Sequence, residues 1–148
     1  MKNLAIALRR KFFRELPEYG QLLASQGGGC KICGRPPHKN KLSIDHAHEV
    51  DKIKVVVSKF GLGWFAEASW GGEHFYDSQP TKRLAWESVK IMLFRRSIRG
   101  LLCFLCNGGI QHFEDSKAPL KPAERFDAAA KYFRDFEGSF NGPTSTRR

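Results

Sequence analysis

The sequence lacks long hydrophobic runs and is poor in acidic residues. No apolar stretch approaches the roughly 18 residues that a membrane-spanning helix needs, and arginines interrupt the only hydrophobic stretch within residues 1–25. We therefore expect a cytoplasmic protein with no membrane anchor and no secretory signal. Asp and Glu number 15 against 25 Lys and Arg in 148 residues, which gives a formal net charge of +10. This excess favours a polyanionic partner, nucleic acid first.

Apolar residues recur at helical spacing near both ends of the chain. Close to the N terminus this spacing predicts a helical segment within residues 1–25, carried by Leu4, Leu8, Phe12 and Leu16. Another helix is predicted to begin near Pro122. Residues 139–148 are rich in Gly, Pro, Ser and Thr, so we expect a flexible tail there.

Residues 49–98 carry strand and turn signals followed by a helical pattern. Apolar runs predict three strands, Ile53–Val57, Trp64–Ser69 and Glu73–Tyr76, with glycine turns between them. A helix is predicted to follow and to end at Arg96. The chain is therefore expected to be of the α+β class, with a folded β-meander and helix in this segment.

All four cysteines fall into two C-x-x-C pairs, with none left over. The pairs are Cys30–Cys33 and Cys103–Cys106, and 69 residues separate them. Two such pairs provide the ligand set of a tetrahedral structural zinc site, one ion per chain. Two redox pairs or four buried thiols are the alternatives. We favour zinc because a redox motif needs no duplicate and cytosolic proteins rarely keep permanent disulfides.

A group of polar residues with catalytic potential follows a short apolar strand. Asp45, His46 and His48 lie at the end of that strand, and Asn107 follows the fourth cysteine. Phosphodiester hydrolysis needs a base that activates water and a cation that stabilises charge on the phosphate. A neutral His46 could take the proton near pH 7, and the oxygens of Asp45 and Asn107 suit magnesium. On spacing alone, a solvent-facing turn explains the pattern equally well.

The order of these motifs along the chain is more specific than any one of them. Gln26 and the glycines after it precede the first cysteine pair, Asp45-His46-x-His48 follows, and Arg99-Gly100-Leu101-Leu102 leads into the second pair. This combination resembles the phage recombination endonuclease VII family. The resemblance covers roughly residues 19–48 and 99–133. It implies a His-Me finger nuclease, in which a zinc-stabilised ββα-metal element carries the active site and cuts branched DNA.

The resemblance also implies roles for particular residues. The four cysteines become zinc ligands, His46 the general base, and Asp45 with Asn107 the ligands of a catalytic magnesium or manganese ion. His48 falls on the second histidine of the family's catalytic motif. On this interpretation residues 26–138 form an endonuclease domain that hydrolyses phosphodiester bonds in branched DNA such as Holliday junctions.

Two features of the catalytic motif set conditions on the structure. The residues directly after Asn107 include no carboxylate, so any further acidic metal ligand is expected from Glu114 or Asp115. Neighbouring residues of a flat strand point to opposite faces. We therefore expect a bend between Asp45 and His46, because only then can both reach one phosphate.

The chain departs from the family pattern in the segment between His48 and Arg99. It holds 50 residues there, where the resemblance implies a short turn, so residues 49–98 are interpreted as an insertion in the ββα element. Because the insertion begins beside the catalytic motif, we expect it to contact substrate through Arg95, Arg96 and exposed aromatic residues such as Trp70.

The remaining predictions concern partners. The basic residues expected to bind DNA phosphates are Arg95, Arg96, Arg99 and Lys41. Apolar flanking helices, and the two cuts that a branch point requires, imply a homodimer. The alternatives are a nicking endonuclease of the HNH type without junction preference and a noncatalytic zinc module that binds nucleic acid by charge.

Overall fold

The computed structural model describes residues 2–114 and 120–140. In chain order its elements are α1 (Lys2–Arg14), α2 (Tyr19–Ser25), β1 (Ser43–His46), a 3-10 helix (His48–Lys52), β2 (Val56–Phe60), β3 (Gly63–Trp70), β4 (Glu73–Gln79), α3 (Lys82–Ser97), β5 (Ile98–Leu102), α4 (Phe104–Phe113) and α5 (Pro122–Phe140). The chain forms two compact units, Met1–Phe104 and Leu105–Arg148. Within the described ranges, no helix is both long enough and apolar enough to cross a membrane.

The core of the first unit lies between α3 and the sheet formed by β2, β3 and β4. Strand β3 is central and pairs antiparallel with both neighbours. Ala66 on β3 and Val89 and Leu93 on α3 have no exposed surface, and Phe12 of α1 packs into the same cluster. The meander and the helix predicted for residues 49–98 are therefore present, and they supply most of this core.

The first strand of the meander begins three residues later than the apolar pattern predicted. We expected a strand over Ile53–Val57, whereas β2 runs from Val56 to Phe60. Its register is set by a tight turn in which Gly61 adopts a φ of 57°, a conformation that glycine reaches without strain. The residues that suggested the earlier start, Ile53 and Val55, instead pack on the core ahead of the strand.

Strands β1 and β5 form a separate two-stranded antiparallel ribbon, and β5 was not predicted. Asp45 pairs with Gly100 and His46 pairs with Ile98, so Arg99 is left over and the register shifts between Asp45 and His46. Such a bulge bends the strand that carries the extra residue, here β5. The irregularity lies opposite the step from Asp45 to His46, and the bend expected within that step stays a prediction.

The ends of the described chain agree in part with the sequence pattern. The predicted helical segment within residues 1–25 consists of α1 and α2, with Pro17 between them. Helix α5 continues to Phe140, so the first two residues of the predicted tail 139–148 are helical. The rest of that tail and Asp115 lie outside the described residues.

The second unit is built on an aromatic contact between α4 and α5. The rings of Phe113 and Phe126 stack with centroids 4.3 Å apart. Arg125 donates hydrogen bonds to the carbonyl oxygens of Phe113 (2.7 Å) and His112 (3.2 Å) at the end of α4. A cation there also suits the negative end of the helix dipole. Tyr132 and Phe133 on α5 are 70% and 61% exposed.

The side chain of Gln26 connects the loop before the first cysteine pair to β5. Its amide nitrogen donates to the carbonyl oxygens of Gly29 (2.6 Å) and Leu101 (2.8 Å). Its amide oxygen accepts from the backbone N–H of Leu101 at 3.0 Å. Because Leu101 is fully buried, no solvent could replace these bonds.

Replacing Gln26 by Leu is expected to lower the free energy of unfolding by about 1–3 kcal/mol, since it leaves a buried N–H group without a partner. The matched control is Gln21→Leu on the exposed side of α2, which should change stability by less than about 0.5 kcal/mol. Urea denaturation of both zinc-loaded variants measures the difference. Equal losses in the two variants would show that the Gln26 bonds do not stabilise the fold.

Candidate metal centre and catalytic group

The four cysteine sulfur atoms lie together. All four are within 4.8 Å of one another, and the Sγ atoms of Cys33 and Cys103 are 3.8 Å apart. In a tetrahedral zinc site with Zn–S bonds of about 2.3 Å, the sulfur atoms are separated by about 3.8 Å. Within the described ranges no disulfide joins any of them. The donor set could therefore hold a metal ion such as zinc.

A tight loop positions the first cysteine pair. The N–H of Gly34 donates to the carbonyl oxygen of Cys30 at 2.8 Å, and Gly34 has a φ of 72°. The N–H of Lys31 donates to the carbonyl oxygen of Leu101 at 3.0 Å, which ties the loop to β5. The second pair begins directly after β5, so the ribbon brings the two pairs together.

Cys30 is the only one of the four that is fully buried. Burial raises the pKa of its thiol, but hydrogen bonds from the backbone at Cys33, Cys103 and Ile32 more than offset this effect and lower the pKa to about 6. The thiolate is the form that binds zinc. The backbone donors therefore favour the ligand form of this side chain.

The carboxylate of Asp45 is buried and held by one arginine. Its side chain is 9% exposed, and each of its oxygens accepts a hydrogen bond of 2.8 Å from Arg99, one from Nε and one from Nη2. Two parallel bonds of this kind fix the orientation of both groups. The bulge supplies this partner, because Arg99 is the residue left over in the β1–β5 register.

The imidazole of His46 is half-buried and has one nitrogen without a partner. Among the described residues, nothing forms a hydrogen bond with its buried Nε2 atom. Burial lowers the pKa of His46, as do electrostatic interactions with His48 and Arg9, whereas Asp51 and a backbone hydrogen bond at Ile44 raise it. The net shift is downward, which favours a neutral imidazole that can accept a proton.

Helix α1 contributes to the surroundings of His46, and the sequence patterns did not identify these residues. The centre of the Phe13 ring lies 4.6 Å from the centre of the His46 ring. The His48 ring stacks on the His46 ring, and their centres are 4.9 Å apart. Arg9 forms an ion pair with Asp51 from the 3-10 helix. Arg9 and Phe13 are four residues apart, so one face of α1 carries both. The spacing of these two residues was the signal in the sequence that could have identified them.

The structure gives the other predicted site residues the following surroundings. His48, whose ring stacks on that of His46, is exposed at the start of the 3-10 helix, and Asn107 is half-buried in the first turn of α4. The Lys41 ammonium lies 5.2 Å from the centre of the Tyr19 ring. The roles predicted for these residues stay predictions.

The arginines expected to contact DNA from the insertion have carboxylate partners. Arg95 pairs with Glu18 at 3.0 Å, and Arg96 pairs with Glu73 at 2.7 Å. Trp70 was expected to be exposed, but it is half-buried and packs against the core cluster. The reason is its place on the face of β3 that covers α3, the same face as Ala68.

Replacing Cys106 by Ser is expected to remove bound zinc and to unfold the protein, because a structural zinc site contributes folding free energy directly. Metal analysis of the purified wild type should give about one zinc per chain. Circular dichroism with and without added zinc measures folding of both proteins. A wild-type chain that is fully folded without metal would contradict this interpretation.

Replacing Arg99 by Leu is expected to lower the free energy of unfolding by roughly 2–3 kcal/mol, because it leaves a buried carboxylate without its partner. Arg96→Leu is the matched control. It removes an exposed pair and should lower the free energy of unfolding far less than Arg99→Leu does.

A double-mutant cycle with Asp45→Asn isolates the Asp45–Arg99 interaction, for which we expect a coupling of about 1–3 kcal/mol. Urea denaturation supplies all four free energies. Additive effects of the two substitutions would mean that the pair contributes no stability.

Comparison with known proteins adds to this geometry. The model of the recombination endonuclease VII family matches residues 7–132. The gene 59 protein of Mycobacterium phage L5 is 40% identical over 52 residues, which are 32% of this chain and 32% of that protein. The match thus spans about a third of the relative's length. No solved structure matches the chain. Since the family model covers most of the sequence, this chain belongs to the recombination endonuclease VII family, as its motifs predicted.

Proposed function

We propose that this protein is a metal-dependent endonuclease that hydrolyses phosphodiester bonds in branched DNA, with His46 as the general base. The observation that carries the proposal is the unpartnered Nε2 atom of His46. His46 directly follows Asp45, whose carboxylate is buried, and the register of the β1–β5 pair shifts between these two residues. Buried polar atoms without partners are rare and call for an explanation. A nitrogen that accepts a proton from a reacting water molecule provides one.

The proposed reaction is a hydrolysis. His46 takes a proton from a water molecule, and the resulting hydroxide attacks the phosphorus atom. The bond to the 3′ oxygen then breaks, the departing oxygen takes up a proton, and the products are a 3′ hydroxyl and a 5′ phosphate. The lowered pKa of His46 supports this role, because the base must be neutral before it accepts the proton.

The ligands proposed for the catalytic ion are Asp45 and Asn107. Their carboxylate and amide oxygens are donors that magnesium and manganese accept. A bound ion of this kind supplies positive charge that stabilises the phosphate and the departing oxygen. Both Asp45 oxygens accept hydrogen bonds from Arg99, and each carboxylate oxygen keeps a further lone pair that could bind the ion. The contact of Arg99 with a substrate phosphate stays a prediction.

We infer that β1, β5 and α4 are the ββα element of a His-Me finger. Two antiparallel strands followed directly by a helix support this assignment. The four-cysteine cluster lies where β5 leads into α4. On this assignment the zinc ion stabilises the fold, and a separate magnesium or manganese ion takes part in the reaction.

Branched DNA and a homodimer are proposed together. Cutting both strands at a branch point needs two active sites. The exposed aromatic side chains on α5, Tyr132 and Phe133, provide apolar surface of the kind that a second copy covers. The phage relative makes the cytoplasm of a bacterial host the expected place of action. A nicking endonuclease of the HNH type and a noncatalytic zinc module are the alternatives.

One gel distinguishes the three. Zinc-loaded protein is incubated with a four-way junction, a linear duplex and a single strand, each with and without magnesium. Magnesium-dependent cleavage of the junction in preference to the duplex supports the proposal. Equal cleavage of junction and duplex favours the nicking enzyme, and binding without cleavage favours the noncatalytic module.

Replacing His46 by Ala is expected to lower the cleavage rate about 10²- to 10⁴-fold, because the base acts in the transition state. The melting temperature and the DNA affinity should stay close to the wild-type values. Added imidazole should restore part of the activity of this variant. The control His38→Ala, in an exposed loop, should cut at the wild-type rate. Loss of stability in parallel with activity would instead mark His46 as structural.

A further inference from the structure

Trp64 brings two lysines together in the insertion. The ammonium groups of Lys59 and Lys82 lie 5.0 Å and 5.7 Å from the centre of its ring. Lys59 faces Trp64 across the β2–β3 pair, and Lys82 is the first residue of α3. Neither lysine forms an ion pair with any carboxylate in the described part of the chain. The ring attracts both cations, but the two charges repel each other.

A groove beside this pair carries the same sign of charge. Its volume is about 470 Å³, and it is lined by Lys54, Lys82, Arg83 and apolar side chains that include Val55 and Trp86. No carboxylate belongs to its lining among the described residues. Lys82 lies both in the groove and over the Trp64 ring, so it joins the two features into one surface.

The start of α3 adds a third source of positive potential. Its first turn contains Lys82 and Arg83 and no acidic residue. The N terminus of a helix carries partial positive charge and favours anions. Glu87 partly compensates Arg83 through an i,i+4 pair at 2.7 Å. Lys82 has no carboxylate partner within the described ranges, so its charge adds to that of the helix end.

We propose that this surface binds the phosphate backbone of DNA and is a second substrate contact, separate from the catalytic residues. We call it the lysine groove and define it by Lys54, Lys59, Lys82, Arg83 and Trp64. The inference rests on the proposed function, since it takes DNA as the substrate. Each of the three arrangements concentrates positive charge that an anion would neutralise. A DNA strand alternates phosphates with less polar sugars, which matches cations set among apolar side chains.

The contrast with the arginines of the same insertion supports this choice. Arg95 and Arg96 already have carboxylate partners, and a phosphate would have to compete with them. The lysines of the groove have no such competitor in the described residues. The lysine groove therefore offers DNA cations without carboxylate partners near the N-terminal end of α3, in addition to the arginines that the sequence pattern indicated at its C-terminal end.

The test measures how DNA affinity depends on salt. The triple variant Lys54→Gln/Lys59→Gln/Lys82→Gln is compared with wild type for binding of a labelled four-way junction, with calcium in place of magnesium to prevent cleavage. The slope of log affinity against log salt should become shallower by about 2–3, since each phosphate neutralised on duplex DNA contributes about 0.9. The corresponding triple Lys→Arg variant should keep the wild-type slope.

The matched control is Lys121→Gln/Lys131→Gln/Arg134→Gln, which removes the same charge from the second unit. Its slope should equal that of the wild type. Zinc content and circular dichroism show that each variant is folded. An unchanged slope in the groove variant, or an equal change in the control, would overturn the proposal. Unchanged DNA binding with weaker retention on heparin would assign the surface to another polyanion, and this also overturns it.

A single substitution gives an independent readout. Lys82→Glu places an acidic residue in the first turn of α3, so it should raise the melting temperature while it weakens DNA binding. A fall in both would contradict the charge argument. The proposed function fails separately: a wild-type protein that binds the junction with the predicted salt dependence but never cuts DNA would refute the nuclease and leave the groove intact.

Discussion

The pairing of β1 with β5 is the constraint on which both candidate sites depend, because it joins segments more than fifty residues apart in sequence. Arg99 is the extra residue of β5 in the bulge of this pair, and its side chain binds the Asp45 carboxylate. The loop of the first cysteine pair is bonded to Leu101 of β5, and the second pair starts where β5 ends. A slip of one residue would turn every side chain of a strand to the opposite face. The register therefore positions the candidate metal ligands and the candidate catalytic residues together.

The same pairing closes the segment between β1 and β5, which the order of the motifs predicts to be an insertion. The N–H of Ala47 donates to the carbonyl oxygen of Ser97 at 2.9 Å, so the segment starts and ends at one hydrogen-bonded position. The entropy of closing a loop grows only slowly with its length. The segment also brings its own apolar residues, and Val89 and Leu93 of α3 are completely buried. The burial of these side chains counters the conformational entropy that is lost when the segment folds.

Sequence patterns identified the parts of the molecule that local chemistry determines. The cysteine pairs, the strand that ends at Asp45-His46 and the glycine turns of the meander each carry their signal within a few residues. Strand β5 did not, because Arg99 and Gly100 interrupt a short apolar run and only the distant partner β1 makes it a strand. The predicted start of β2 was wrong for a related reason, since the turn at Gly61 sets the register of the β2–β3 pair. The Asp45–Arg99 pair was also missed, because it depends on the bulge.

The net charge of this protein does not show which of its cations can bind a polyanion. The formal charge of +10 indicated a polyanionic partner but not which cations would meet it. Arg95, Arg96 and Arg99 all have carboxylate partners, so their charges are partly compensated within the protein. Lys59 and Lys82 of the groove lie over a tryptophan ring instead, which orients an ammonium group without neutralising it. An aromatic partner keeps the charge available, whereas a carboxylate partner cancels much of it at a distance. The kind of partner, more than the number of cations, therefore decides where a phosphate backbone finds uncompensated charge.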